Sequence, residues 1–271
     1  MKSTKLFIFS AFIILTSCDG RKEKHENSDG DWVKKVVSTD HGPVREKQVT
    51  GDFDEIEVSQ AIEAEIIKSD VEKVVISAPE NIIDEVLVDI SGGKLHIHYK
   101  KGIRVMNSHN VSAKIYAKDF SKINANSAAG ITIKDKFVQD KSDIEVSSSA
   151  SINGDLEAND FEISVGSASN FTGKIWAVDL DIDASSGASL DLSGKAKKAE
   201  ISSSSGSSVS AKNLVADNLK AEASSGASID ISASSSINAE ASSGGSVDVY
   251  KKGNVTSVTK QENSGGSVSI H

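Results

Sequence analysis

The chain has 271 residues, 38% of them hydrophobic but only 5% aromatic, and it carries a net charge of −9. That is enough for one elongated repeat domain or two small ones, with a core poor in large side chains. The acidic balance argues against nucleic acid as a partner, and with Arg21, Arg45 and Arg104 as the only arginines the later part of the chain has no guanidinium clamp for phosphate or carboxylate.

Met1-Lys2-Ser3-Thr4-Lys5 followed by the apolar stretch Leu6 to Leu15 has the form of an export signal and is too short for a membrane span. It runs into Leu15-Thr16-Ser17-Cys18, which resembles the lipobox of bacterial lipoproteins. The resemblance implies a signal peptide over residues 1–17, removed on export, and lipidation of Cys18, the sole cysteine. No disulfide can form within the chain. Residues 18–48 are polar and mixed in charge, and read as a flexible tether that holds the folded part off a membrane.

From residue 49 to about 120 the pattern is β. Phe53, Ile56 and Val58, then Ile62, Ala64 and Ile66, then Val74 and Ile76 alternate with polar residues. Ala78-Pro79-Glu80-Asn81 breaks the run, and Ile82 to Val86 fits one helical turn. Ser91-Gly92-Gly93 reads as a hairpin turn between the run of Val88 and Ile90 and that of Leu95, Ile97 and Tyr99. Val111, Ala113, Ile115 and Ala117 give a further strand.

Over residues 121–271 the organisation is repetitive. Between residues 147 and 271 a Ser/Gly/Ala-rich corner recurs seven times at a spacing of about 18 to 21 residues, the size of one solenoid unit. Examples are Ser149-Ala150-Ser151-Ile152, Gly187-Ala188-Ser189-Leu190 and Gly226-Ala227-Ser228-Ile229. Inward pairs precede each corner: Ile144 and Val146, Phe161 and Ile163, Ile182 and Ala184, Ile201 and Ser203, Ala221 and Ala223, Ala239 and Ala241. Alternation resumes after it, as in Leu190 and Leu192. Linker composition has no reason to keep apolar residues in period two and in phase from copy to copy. Recurrent Gly and alternating β-branched residues disfavour helix. The predicted fold class is all-β: a right-handed parallel β-helix with coils of about 20 residues, preceded by a β-rich section.

Phe53-Asp54-Glu55-Ile56-Glu57-Val58, Ala78-Pro79-Glu80-Asn81, Lys94-Leu95-His96-Ile97 and the later Ser-Ser-Gly-Ala-Ser copies resemble the family called putative auto-transporter adhesin, head GIN domain, over about residues 49 to 260. The resemblance implies an exported or lipid-anchored β-helical protein of a Gram-negative envelope. It supplies no catalytic residues. Where many members carry Gly-Ser-Gly-Asp-like corners, this chain has Gly-Ala-Ser or Gly-Gly-Ser.

The outward positions carry acids. Alternation places Glu145, Glu162, Asp183, Glu222 and Glu240 in one column and Asp143, Asp160, Asp181 and Glu200 in the next, with carboxylates about 5 Å apart if coils stack in register. Such columns are a solvated acidic face or a wall for cations, with weak Ca²⁺ as the cation and the first five residues as its ligands; no other cofactor is expected. The calcium-binding nonapeptide of other β-rolls is absent. His96 and His98 share a strand face as a metal pair would, but with no Cys or further His at ligand spacing they read as an exposed strand face. Parallel β-helices include enzymes acting on acidic polysaccharides. However, residues 111–270 hold neither Arg nor His, the acids run in columns instead of converging, and only Trp176 is at hand to stack a sugar. No serine has an activating base.

The sequence therefore reads as a non-enzymatic, lipid-anchored cell-envelope protein of the outer membrane, periplasmic or surface-facing. It would serve as a structural or adhesin-like module with a surface glycan or a protein as partner. The alternatives are a polysaccharide-active enzyme, recognisable by a groove that brings two carboxylates beside Trp176 or Lys174, and a periplasmic accessory protein with a protein partner.

Overall fold

The computed structural model describes residues 35–37, 42–105 and 110–271, so the expected signal peptide and Cys18 lie outside the described residues. Among those residues every regular element is a strand except one 3-10 turn. In chain order the first half comprises β1 (Lys35–Val37), β2 (Val44–Thr50), β3 (Glu55–Val58), β4 (Glu63–Lys68), β5 (Lys73–Pro79), the 3-10 turn Ile83–Glu85, β6 (Val86–Ser91), β7 (Lys94–Tyr99), β8 (Ile103–Val105) and β9 (Ser112–Ala117). The second half comprises β10 (Lys122–Ala125), β11 (Gly130–Ile133), β12 (Phe137–Val146), β13 (Ser151–Asn153), β14 (Leu156–Val165), β15 (Asn170–Ala184), β16 (Ser189–Ser203), β17 (Ser208–Ala223), β18 (Ser228–Ala241), β19 (Ser246–Lys251), β20 (Ser257–Glu262) and β21 (Ser267–Ile270).

From β3 onward the strands of successive coils pair in parallel and build a β-solenoid of about 19 residues per turn. Each coil turns at a corner of two consecutive left-handed residues. Nine such corners occur among the described residues, from Gln60-Ala61 and Ser127-Ala128 through Ser186-Gly187 to Ser264-Gly265. This is the backbone of a type I′ turn, and the expected closing bond is present, as in Ala188 N–H to the Ser185 carbonyl at 3.1 Å. Left-handed backbone is strained for any residue but Gly, which explains Gly at the second position from Gly187 on. A ladder along the stack holds the strain: the second left-handed N–H donates to the first left-handed carbonyl one coil on, as in Ala61 to Ser127 (2.9 Å) and Gly187 to Ser205 (3.1 Å). The residue after the pair is Ala, Ser or Gly from Ala129 on, because it is tucked against the preceding coil. A Cβ at Gly245 would lie 2.5 Å from the Ala223 carbonyl oxygen.

The corner separates two faces. Face A, before it, stacks β6, β7, β3, β10, the final segments of β12 and β14 to β18, and β20. Face B, after it, stacks β2, β5, β9, β4, β11, β13, the opening segments of β15 to β18, β19 and β21. A third face, C, begins only at Phe137 and is formed by the opening segments of β12 and β14 and the middle of β15 to β18.

Stack order is not chain order. β3 lies between β7 and β10, and β4 between β9 and β11, so the coil of residues 55–68 is sandwiched between two later segments. β2, β5 and β6 are antiparallel and close this end of the stack. Residues 44–48, placed in the tether by their polarity, belong to β2 instead. Arg45, Glu46 and Lys47 fit there because charge on an edge strand discourages a further strand from pairing. The hairpin at Ser91-Gly92-Gly93 is present, and the turn expected over Ile82 to Val86 is the 3-10 turn.

One core runs through all coils. Ile182, Leu190, Ile201 and Ile229 point inward, while Asp181 and Asp191 face solvent and Glu200 and Asp230 are half-exposed. The inward pair of the second copy is Val165 and Ile163, in register with Val146 and Ile144, two residues later than the alternation alone placed it.

Candidate functional site

Trp176 sits in the middle of face C. Ile175 and Ala177 on either side are buried, so the indole must face out, and 46% of the residue is exposed. On the neighbouring coils Glu157 and Lys195 lie directly opposite it. Two hollows flank the ring. One, of about 490 Å³, is lined by Phe120, Gln139, Lys141, Asn159 and Trp176 where face C begins. The other, of about 530 Å³, is lined by Lys136, Asp155, Glu157, Lys174, Trp176 and Lys195. Gly194 also lines it, where the coils approach too closely for a side chain: a Cβ there would lie 1.9 Å from the Ile175 carbonyl oxygen. A smaller hollow of about 400 Å³ continues past Trp176 to Lys197 and Asp217.

The charges around the ring are unevenly satisfied. Glu157 pairs with Lys136 at 2.6 Å, and Asp155 accepts the Lys174 backbone N–H at 3.0 Å. The ammonium groups of Lys174, Lys195 and Lys197 make no ion pair with a described residue. Two carboxylates thus do line one hollow with Trp176 and Lys174, the arrangement an enzyme would require. Of the two, Glu157 is engaged by a lysine and Asp155 by backbone.

Beneath the first hollow, Gln139 occupies the inward column continued by Ala158, Ala177 and Ala196. Both polar atoms of its amide, and the Ser142 hydroxyl, are buried without a hydrogen-bond partner among the described residues. Such groups are costly unless water or a ligand meets them. Sequence reasoning found Trp176 and Lys174 and missed Lys195, Lys197 and Gln139. The available signal was the pair of adjacent outward residues that recurs on face C, such as Lys197-Lys198, where period two fails.

The acidic columns lie on face A. Glu145, Asp183, Glu222 and Glu240 share one column with Ser164 and Ser202, but Glu162 does not: it pairs with Asp143 and Asp181 in the neighbouring column. Asp160, on face C, pairs with Lys141 and Asp179. Lysines interrupt the face. Lys122 reaches Asp143 (2.9 Å) and Glu145 (2.6 Å), and Lys220 bridges Glu200 (2.7 Å) and Glu222 (3.0 Å). Burial lowers the Lys122 pKa, but hydrogen bonds to both carboxylates outweigh it and raise it overall. Between these bridges Asp181 is left with its pKa raised, by burial first and then by Asp183 and Glu200. Among the described residues no group of three or more His, Cys, Asp or Glu is placed to hold a metal ion.

His96 and His98 are half-buried, not an exposed face, because β6 and β3 flank their strand. Their rings stack at 4.1 Å. His98 Nε2 meets Asp89 at 2.9 Å, and His96 Nε2 lies 3.2 Å from Ser59 Oγ and 3.6 Å from Glu57. Burial lowers the His96 pKa; Glu57 opposes this, and His98 and Lys94 add to it.

Stacked parallel coils place the molecule among the β-solenoids. The chain belongs to the family described as putative auto-transporter adhesin, head GIN domain, whose model matches residues 52–253. A solved putative adhesin of Parabacteroides merdae is 18% identical with a TM-score of 0.78, covering 87% of this chain and 99% of its own. A protein of Parabacteroides distasonis named as a putative lipid binding protein is 18% identical with a TM-score of 0.74, covering 88% and 100%. A putative adhesin of the same species is 17% identical with a TM-score of 0.76, covering 88% and 100%. At these identities the likeness is one of fold. No curated protein matches the chain.

Proposed function

We propose that the chain is a non-enzymatic binding module of the cell envelope, tethered to the outer membrane by lipid at Cys18, and that the Trp176 face holds a surface glycan. The half-exposed indole carries this reading. A flat ring on a rigid sheet offers a pyranose ring a stacking surface at little entropic cost, and the hollows on either side give room for its substituents. Membership of an adhesin-like family supports a role outside the cytoplasm.

The test is binding of the full-length protein to oligosaccharides of mixed composition, by calorimetry, beside Trp176→Ala. The half-exposed position predicts that the variant folds with an unchanged melting temperature and loses at least about tenfold in affinity, or about 1.4 kcal/mol. Equal affinity of variant and parent would overturn the site. For the anchor, Cys18→Ser should move the protein from the membrane to the soluble fraction, and unchanged partitioning would overturn that part.

A further inference from the structure

We infer that the glycan held at Trp176 is anionic, a polysaccharide bearing carboxylate or sulfate groups, with Lys174, Lys195 and Lys197 as its charge partners; this rests on the reading of Trp176 as a sugar platform. Lys195 lies directly across from Trp176 on the next strand, at the inter-strand distance of about 4.8 Å. Lys174 and Lys197 are two residues along their strands from Trp176 and Lys195, about 7 Å at the usual strand rise. Three ammonium groups therefore surround one indole over the span of a sugar ring and its neighbour.

Elsewhere the lysines are divided: Lys114, Lys118, Lys141 and Lys198 likewise make no ion pair with a described residue, and others are paired. Lys94, Lys122, Lys134, Lys136, Lys220 and Lys260 each pair with a carboxylate. None of Lys174, Lys195 and Lys197 makes an ion pair with a described residue, although acids line the same hollows: Glu157 is engaged by Lys136, and Asp155 accepts the Lys174 backbone N–H. Leaving cations unpaired beside an exposed aromatic is the arrangement expected when the counter-charge arrives with the ligand. With lysine instead of arginine, the contacts are point charges without bidentate geometry, which suits a polymer whose anionic groups vary in position.

A membrane surface of anionic lipid would meet the same lysines, but it fits less well. Glu157, Asp160 and Asp179 stand outward on the same face, and Val138, Val178 and Val215 are scattered and do not form an apolar belt. A flat anionic bilayer would press against those acids, whereas a single saccharide strand can follow the lysines between them.

The experiment uses the full-length protein with uronate oligosaccharides, sulfated dextran oligosaccharides, unsubstituted dextran oligosaccharides, and vesicles of zwitterionic lipid with and without anionic lipid. At low salt, uronate or sulfated chains should bind at least about tenfold tighter than dextran, and the preference should shrink as NaCl rises from about 0.02 to about 0.3 M. In the Lys174→Ala/Lys195→Ala double variant that preference should vanish while weak dextran binding persists; in Trp176→Ala both should go. Equal affinity for dextran and charged chains would overturn the anionic assignment and leave the glycan reading standing. Charged-chain binding untouched by the lysine variants would place the anion site elsewhere. Binding to anionic vesicles with no saccharide binding would overturn it in favour of a lipid surface, and no binding to any saccharide would overturn both readings.

Discussion

The two ends of the stack are built from different materials. The buried phenylalanines, Phe53, Phe120, Phe137, Phe161 and Phe171, all lie at or before residue 171. Beyond it the inward columns run to Ala196, Ala199, Ala216, Ala221, Ala233 and Ala239. The first end is closed by antiparallel strands, whereas β20 is exposed along its whole length and no described strand lies beyond it. The early coils resemble the core of a globular domain, in which large side chains interlock. In the late coils the aromatics are gone, and alanine is interspersed with Ile182, Leu190, Ile201, Ile229 and Ile231, so that at the alanine positions little more than a methyl group fits. One solenoid thus uses two ways of filling its interior.

That contrast predicts opposite sensitivities. Phe161→Ala should cost about 3–5 kcal/mol by opening a cavity among large neighbours, measured by denaturant unfolding. At the alanine positions of the late coils truncation has little left to remove, and enlargement should do the damage: Ala221→Leu should cost about 1–3 kcal/mol. If Ala221→Leu proves neutral, the late interior is looser than described.

A second pair separates packing from backbone strain within the late corners. Gly245→Ala places a Cβ 2.5 Å from the Ala223 carbonyl oxygen, so the coils must part. At Gly226 nothing lies within 4 Å, and only the positive φ of 74° resists a side chain, at about 1–2 kcal/mol. Gly245→Ala should therefore lower the melting temperature more than Gly226→Ala, and the reverse order would show that the coils separate more easily than the corner reshapes.

The smallest effects are electrostatic, and acid should act oppositely on the two regions. His96 has a lowered pKa, so the unfolded chain binds its proton first, and stability at the closed end should fall as pH drops below the ordinary 6.5. Asp181 has a raised pKa, so the folded chain binds its proton first, and the middle coils should gain as pH falls toward the ordinary 3.8. Asp181→Asn should stabilise at neutral pH, with the gain fading as pH falls toward about 3.8 and gone below it, and His96→Gln should flatten the loss under mild acid. Titration of both variants by thermal melting checks the signs.

Much of this was legible in the residues, and the exceptions share a cause. Alternation tells inside from outside, and the recurring corners give the coil length; both follow from local backbone geometry. A slip of two residues leaves alternation intact, so the pattern could not place Glu162 beside Asp143 in preference to Glu145. The corner hydrogen bonds decide that. The corner at Gln60-Ala61 escaped notice because it lacks the run of small residues and 66 residues separate Ala61 from its ladder partner, Ser127. Face C was hidden for a related reason: its adjacent outward pairs break the period of two. The platform at Trp176 depends on that face, so its lysines could not be grouped until the coils were closed.

The sandwiched coil has a consequence for timing. A coil in the repeat finds its next neighbour within about 20 residues of chain, but Ile56 must wait for Leu95 and then for Ile123, 39 and 67 residues later. Contacts of such separation form late, after loop closure has been met by other gains. As the chain emerges from its amino end, the first coil made is among the last to be locked. Assembly should start in the repetitive half and finish by closing around residues 55–68, so a chain held back before residue 122 would keep open the side of that coil that β10 and β11 later cover.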